Sequence, residues 1–185
     1  MYLTKEEFKE NINNFQNQSL KNYWNKQLDA RWDYLNIVIE KLKIWKTQSI
    51  LELGSNGLPL SSFSDTMDIT KFNKVKDYPT YIRDAKSFPW EINKKYDVFI
   101  ALQVWEHLCP YQTKAFEEAS RIAKKIILSF PYNWNSGPMF EEHNYINEEV
   151  IRRWAGGITP TESIISDVSG KFHTSGKRIV CFWEF

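Results

Sequence analysis

The chain has 185 residues, of which 42% are hydrophobic and 25% are charged. Those fractions exclude a collagen, a disulfide-stabilised miniprotein and a wholly disordered chain, and the length favours one domain with an ordinary core. The 24 basic and 23 acidic residues leave a net charge of +1, so the chain has no general attraction to nucleic acid or to acidic membranes. The two cysteines, Cys109 and Cys181, are too few for a disulfide framework and predict a reducing, cytoplasmic compartment.

The first 46 residues have the pattern of helices. Thr4 and Glu7 have the spacing of a capping box, and Ser19 stands where it can cap a second, longer helix. Apolar residues of that second helix recur every three or four positions and form one stripe: Leu20, Trp24, Leu28, Trp32, Leu35, Ile39 and Leu42. The N-terminus has no apolar stretch typical of a signal peptide, and no apolar run is long enough to span a membrane.

From residue 49 onward, short apolar runs alternate with helical patterns and turn residues. They predict strands at 50–53, 66–69, 81–82, 96–102, 125–130, 163–168 and 178–185, and helices at 113–123 and 148–154. Strands that alternate with helices predict a mainly parallel α/β sheet. No helical pattern separates the last two strands, so we expect them to pair in antiparallel fashion.

The first predicted strand ends in a glycine-containing turn, Gly-Ser-Asn-Gly at 54–57. Such a turn lets the backbone approach a bound nucleoside without a side chain in the way. The G-x-G-x-x-G pattern of dinucleotide sites does not match, because Asn56 and Pro59 occupy its second and third glycine positions. The nearest string to a P-loop, at 170–178, has one residue too many and leads into a strand, so we interpret it as a hairpin loop.

Five segments in chain order resemble motifs of the class I S-adenosylmethionine-dependent methyltransferases, in the small-molecule branch related to the type 11 domain. They are ILELGSNG at 50–57, MDIT at 67–70, YIRDAKSFPW at 81–90, YDVFIALQVWEHL at 96–108 and RIAKKIILSFPY at 121–132. The resemblance covers about residues 48–185. It implies a Rossmann-like fold, S-adenosyl-L-methionine as the cofactor, and a methyltransferase domain whose core at 48–185 is preceded by a helical lid at 1–46.

The resemblance implies a cofactor site at the carboxyl ends of the parallel strands. Asp68 is expected to accept from the ribose hydroxyls, and Asp84 from the adenine amino group, while the Ala85 amide donates to the adenine ring. Glu52 either orders the glycine turn or reaches the ammonium group of the cofactor. The full expected set is Glu52, Gly54, Ser55, Asn56, Gly57, Asp68, Asp84, Ala85, Gln103 and Val104.

Two departures from the family pattern affect this site. The chain between Gly54 and Asp68 is short and contains Pro59, so we expect the helix after the glycine turn to be one or two turns long or replaced by a loop. The run at 71–80 is also too short for a full second helix. The cofactor pocket is therefore expected to be more open than is typical.

On the acceptor side, His107 and His143 are the candidate catalytic residues. We expect His107 to serve either as a base or substrate contact, or to hold its loop by a hydrogen bond. We expect His143 either to close over the acceptor or to cap the next helix. The expected substrate pocket consists of Tyr23, Trp24, Glu106, Tyr132 and Trp134. No His or Cys cluster has metal-ligand spacing, so no metal is expected.

We therefore expect methyl transfer to a small molecule, at oxygen rather than nitrogen. The Asn/Asp-Pro-Pro-Tyr motif of nucleic-acid and protein amide N-methylating relatives is missing, and Gln-Val-Trp-Glu stands in its place at 103–106. One alternative is a non-catalytic cofactor-binding or scaffold protein, favoured by the short segment after Gly57. A second is an RNA or protein methyltransferase, although the near-zero net charge disfavours RNA. The helical stripe predicts either a wall over the pocket, with Tyr23 or Trp24 near the ligand, or a dimer interface, so monomer and homodimer both stay open.

Overall fold

The computed structural model describes residues 1–15, 17–70, 79–135, 143–167 and 176–185. Most of the loop predicted at 170–178, and most of the run at 71–80, lie outside the described residues. Within them, no helix is both long and apolar enough to cross a membrane.

Three helices precede the sheet: α1 (Lys5–Asn13), α2 (Gln18–Lys26) and α3 (Leu28–Ile44). The predicted capping box is confirmed, because the Thr4 side chain accepts from the Glu7 amide and the Glu7 carboxylate accepts from the Thr4 amide. The prediction of one long second helix is wrong, since the helix is interrupted at Gln27. Its cap is Asn17 rather than Ser19, because the Asn17 carboxamide oxygen accepts from the amide of Leu20 at 3.0 Å.

The strands are β1 (Ile50–Leu53), β2 (Ser64–Asp68), β3 (Tyr81–Ile82), β4 (Tyr96–Leu102), β5 (Ala123–Pro131), β6 (Glu162–Asp167) and β7 (Lys177–Glu184). They form one sheet in the order β3-β2-β1-β4-β5-β7-β6. The first five strands are parallel, whereas β7 runs antiparallel to both β5 and β6. The predicted mainly parallel α/β sheet with an antiparallel C-terminal pair is therefore confirmed.

The central strands are apolar on both faces, which is why they are continuous hydrophobic runs in the sequence. In β4, Val98 and Ile100 face α1–α3, whereas Phe99 and Ala101 face α4 (Gln112–Ile122) and α5 (Glu148–Trp154). On the first of these faces, the helices contribute buried Phe8, Ile12, Tyr34, Leu35, Val38, Ile39 and Leu42. Much of the predicted stripe is thus buried against the chain's own sheet rather than left for a second copy.

The segment after β1 contains turns but no helix between residues 54 and 63. This agrees with the expectation that a loop replaces the usual first helix. Leu58 and Leu60 from this loop join the hydrophobic cluster under α1–α3. The amide of Leu60 donates to both carboxylate oxygens of Glu52, at 2.8 and 3.0 Å. The Glu52 side chain, on β1, therefore holds the loop in place.

Candidate functional site

A cavity of about 450 Å³ lies between the N-terminal helices and the carboxyl ends of β1 and β4. Of the residues predicted for the cofactor and substrate, Tyr23, Trp24, Glu52, Gly54, Ser55, Asn56, Gln103, Val104 and His107 line it. The other predicted residues, which are Gly57, Asp68, Asp84, Ala85, Glu106, Tyr132, Trp134 and His143, are not part of its lining. The cavity therefore lies between the glycine turn and α2, and the rest of the predicted set lies outside it.

The glycine turn has the backbone conformation that its sequence requires. Gly54, Asn56 and Gly57 all have positive φ, at 69°, 52° and 78°. A Cβ atom added to Gly54 would lie 2.7 Å from Cγ2 of Val104, which is too close for any real contact. A side chain at this position would therefore force Val104 to shift, in a backbone conformation that already favours glycine.

The junction after β4 is held by the two adjacent strands. Gln103 has φ of 57°, which is unusual for a residue with a side chain, and its amide donates to the carbonyl of Ser129 on β5 at 3.0 Å. Its carboxamide oxygen accepts from Nε of Arg178 on β7 at 3.2 Å. These contacts fix the point at which the chain turns from β4 toward the cavity rim.

Glu52 is a buried carboxyl group in the cavity wall, with a side chain on the face that α1–α3 cover. Burial raises its pKa to about 7, although hydrogen bonds from Ser64, Leu60 and Ser61 act in the opposite direction. The loop-ordering role considered from sequence is present as the contacts to Leu60. A cation in the cavity would favour the ionised form of Glu52. Contact between Glu52 and a cofactor ammonium group stays a prediction.

Asp68 and Asp84 end neighbouring strand segments at the same edge of the sheet. The Asp68 carboxylate accepts from the amide of Ile69 at 2.8 Å, and that of Asp84 from the amide of Lys86 at 2.9 Å. The carbonyl of Ala85 accepts from the indole nitrogen of Trp90 at 3.1 Å. The edge from β3 to β4 spans three strand spacings of about 4.8 Å each, which suits an elongated ligand.

Glu106, His107 and His143 are brought together beside the cavity. Each offers one potential metal-ligand atom, and these atoms lie within 4.8 Å of one another. The Nε2 atoms of the two histidines are 3.4 Å apart. All three residues were candidates from the sequence, but their proximity could not be predicted, because His143 lies far from Glu106 and His107 along the chain.

Residues 133–134 pair with residues 145–146, which follow His143 closely in the chain. The amide of Asn133 donates to the carbonyl of Ile146 at 2.9 Å, and the amide of Tyr145 donates to the carbonyl of Trp134 at 2.8 Å. The suggestion that His143 caps α5 is wrong, because the Asn147 side chain accepts from the helix amide of Val150.

The two predicted aromatic residues just after β5 also have defined contacts. Trp134 packs edge-on against His143 and donates from its indole nitrogen to the carbonyl of Lys177 at 2.7 Å. Tyr132 donates its hydroxyl to the carboxylate of Glu148. Trp134 therefore adjoins the histidine pair, whereas the Tyr132 hydroxyl is engaged with α5.

Two arginines near the cavity were not singled out from the sequence. Arg31 lines the cavity, its guanidinium lies 3.9 Å from the centre of the Trp24 ring, and it donates to the Tyr34 hydroxyl at 3.4 Å. Arg178 is only 5% exposed, and burial lowers the pKa of its guanidinium. Its Nε donates to Gln103, so this arginine is held beside the end of β4.

Comparison with solved structures identifies the fold. A methyltransferase from Clostridium acetobutylicum ATCC 824 matches with a TM-score of 0.63 and 13% identity, over 90% of this chain and 98% of its own. Magnesium protoporphyrin IX methyltransferase from Synechocystis PCC 6803, solved with bound SAM, has a TM-score of 0.58 and 14% identity, over 97% and 96% of the two chains. The chain has the class I methyltransferase fold.

A third structure with this methyltransferase fold is the plantazolicin methyltransferase BpumL in complex with SAH. It matches with a TM-score of 0.56 and 13% identity, over 97% of this chain and 95% of its own. No protein-family model and no curated protein sequence matches the chain. The similarity therefore lies in the order and connection of the elements.

Proposed function

We propose that this chain binds S-adenosylmethionine and transfers its methyl group to a small-molecule acceptor, at oxygen, as an enzyme similar to the small-molecule type 11 branch. The observation that carries the proposal is the cavity at the carboxyl ends of β1 and β4, because ligands of open α/β sheets bind at that edge. The names of two similar structures support a small-molecule acceptor: one is a magnesium protoporphyrin IX methyltransferase, and the other is a plantazolicin methyltransferase.

The residues around the cavity fit the charges of this cofactor. Glu52 places a buried carboxyl group in the wall, and an ammonium or sulfonium group there would offset the cost of ionising it. Arg31 lines the same cavity and supplies the positive charge that a carboxylate tail needs. We assign the tail to residues 54–56, Glu52 and Arg31.

The nucleoside part is assigned to the neighbouring edge of the sheet. Asp68 would accept from the ribose hydroxyls, and Asp84 from the adenine amino group beside the amide of Ala85. Asp68 and Asp84 belong to adjacent strand ends, since the amide of Arg83 donates to the carbonyl of Asp68 at 2.9 Å. In this arrangement the cofactor extends along the edge from β3 to β4.

When bound, the cofactor would supply an electrophilic methyl group carried on sulfur, and an acceptor hydroxyl at the cavity rim would give up its proton to solvent water. The chain contributes enclosure and alignment. Gln103 and Val104, held by β5 and by the glycine turn, border the reaction region. Tyr23 and Trp24 form the helical wall, and His107 at the rim is assigned to the acceptor side.

Oxygen is the proposed acceptor atom because Gln-Val-Trp-Glu at 103–106 replaces the motif of amide N-methylating relatives. The Gln103 side chain is also bonded to Arg178 and Ser129, which leaves little of it to bind a planar amide. A reducing, cytoplasmic location is part of the proposal, since both cysteines are free thiols.

The test is a calorimetric titration of the full chain with S-adenosylmethionine, followed by mass-spectrometric detection of S-adenosylhomocysteine in the presence of hydroxylated small molecules. We expect one binding site, and turnover that depends on the acceptor. Glu52→Gln should weaken binding, whereas Glu117→Gln, an exposed carboxylate on α4, should not. Absence of binding would refute the proposal, and binding without turnover on any acceptor would favour the non-catalytic alternative.

A further inference from the structure

We propose that Glu106, His107 and His143 bind a divalent transition-metal ion at the rim of the cavity. The three potential ligand atoms lie within 4.8 Å of one another. Two ligands of one ion with bonds of about 2.1 Å can be at most about 4.2 Å apart, so only a small side-chain rotation is needed to complete the group.

The spacing of the two imidazoles is the geometric core of this proposal. Their Nε2 atoms are 3.4 Å apart, with the rings 77° from coplanar. Two nitrogens bound at about 2.1 Å to a tetrahedral ion are separated by about 3.4 Å. A direct hydrogen bond between the rings would be longer than the usual range of about 2.7–3.2 Å. The spacing thus suits a shared ion better than a shared proton.

The ligand types indicate which ion is bound. Two imidazoles and one carboxylate form the kind of three-residue set that leaves coordination positions open for water or substrate. Imidazole nitrogen favours zinc, cobalt or iron over magnesium and calcium, which prefer oxygen ligands. Glu106 is 2% exposed, and a nearby metal charge would offset the cost of burying its carboxylate.

The ligands are held by two separate parts of the fold. Glu106 and His107 belong to the 3₁₀ turn Trp105–Leu108, which Trp105 and Leu108 anchor in the core. His143 is positioned by the nearby pairing of residues 133–134 with residues 145–146 and by its contact with Trp134. Rigid placement of this kind is what a metal site needs.

The role assigned to the ion rests on the proposed function. Because His107 lines the cavity, the open coordination positions would lie beside the acceptor. A divalent ion there would bind an acceptor hydroxyl, lower its pKa and fix its oxygen. The acceptor class is therefore a hydroxyl-bearing small molecule, and the two histidines act as ligands rather than as general bases.

Cobalt(II) is the probe of choice, because its visible absorption reports imidazole coordination directly. We would titrate the full chain with Co²⁺ in the absence of cofactor and measure Zn²⁺ binding by calorimetry. We expect one site per chain. His107→Gln and His143→Gln should each weaken binding by at least about tenfold. His107 is exposed and His143 is half-buried, so both variants should keep the wild-type circular dichroism and melting temperature.

Glu106→Gln tests the third ligand, and Glu117→Gln on the surface of α4 is its matched control. Equal cobalt spectra for the wild-type and His143→Gln proteins would overturn the metal site, as would equal losses for Glu106→Gln and Glu117→Gln. The outcome is separable from the cofactor assignment. Cobalt binding without S-adenosylmethionine binding would refute only the proposed function, and the reverse would refute only the metal site.

Discussion

The two faces of the sheet are closed in different ways. On one face, α4 and α5 pack over the strands, and aromatic rings such as Phe116 and Trp183 lie 5.2 Å apart within that core. On the other face, the helices come from the N-terminus, and a loop stands where a helix normally follows β1. The cavity lies on this second face. The cavity therefore lies beside a loop, because the chain forms no helix between β1 and β2.

The largest expected effects come from one variant on each face of the sheet. A change on the α4 side should lower stability, and a change on the cavity side should weaken binding. Phe116→Ala, on the α4 side, should lower the free energy of unfolding by about 3–5 kcal/mol, because it leaves a void in a closed core. Its affinity for S-adenosylmethionine, measured by calorimetry where the protein is folded, should stay within about twofold of wild type.

Trp24→Ala is the matching change on the cavity side. It should cost less stability and weaken cofactor binding by about tenfold, because it opens the wall and removes the ring that Arg31 covers. Equal effects of the two variants on binding would mean that the two faces do not differ in function.

Gly54→Ala tests how closely the glycine turn packs on the β4 junction. The added Cβ would meet Val104 at 2.7 Å in a backbone conformation with φ of 69°, so we expect a loss of about 2–4 kcal/mol in chemical denaturation. The double variant Gly54→Ala/Val104→Ala should recover the packing part and leave about 1 kcal/mol from the backbone. A double-mutant cycle with no coupling would show that Val104 is not the reason for glycine here.

The raised pKa of Glu52, on the cavity face, predicts that the free energy of unfolding depends on pH. The folded state keeps its proton up to about pH 7, whereas the unfolded chain loses it near pH 4.5, so folding takes up a proton between these values. Stability relative to Glu52→Gln should therefore fall as the pH rises from about 4.5 to 7, by up to about 3 kcal/mol, and then level off. Parallel profiles for the two proteins would exclude a raised pKa.

A further expected effect on binding concerns the far end of the ligand, at Asp84. Asp84→Asn keeps an oxygen that can accept from the amide of Lys86, whereas Asp84→Ala removes it. Loss of a ligand hydrogen bond should weaken S-adenosylmethionine binding by about 1–3 kcal/mol in both variants. If only the alanine variant binds weakly, the carboxylate serves its own turn and the adenine assignment fails.

The sequence alone predicted the elements whose signal is local. The bounds of β1, β4 and α5 agree with the structure, because each is a continuous apolar run or a capped helical repeat. The break at Gln27 was missed, since no glycine or proline marks it and the buried Gln27 side chain accepts from Arg31 across the bend.

The candidate site could also be predicted only in part. The glycine turn could be found from its spacing, and the structure places it at the cavity. The position of Arg31 in the cavity and the proximity of Glu106, His107 and His143 could not be predicted, because packing between distant parts of the chain decides where these side chains meet. The spacing of residues in the sequence does not show which side chains meet when they are far apart along the chain.

Hydrogen exchange with and without S-adenosylmethionine tests the central claim most directly, namely that the cofactor binds in the cavity beneath α1–α3. We expect ligand to slow amide exchange both at residues 54–56 and in the segment from Tyr23 to Trp32, because both border the cavity. Protection confined to the glycine turn and the Asp84 region, with no change in α2 or the start of α3, would contradict the account.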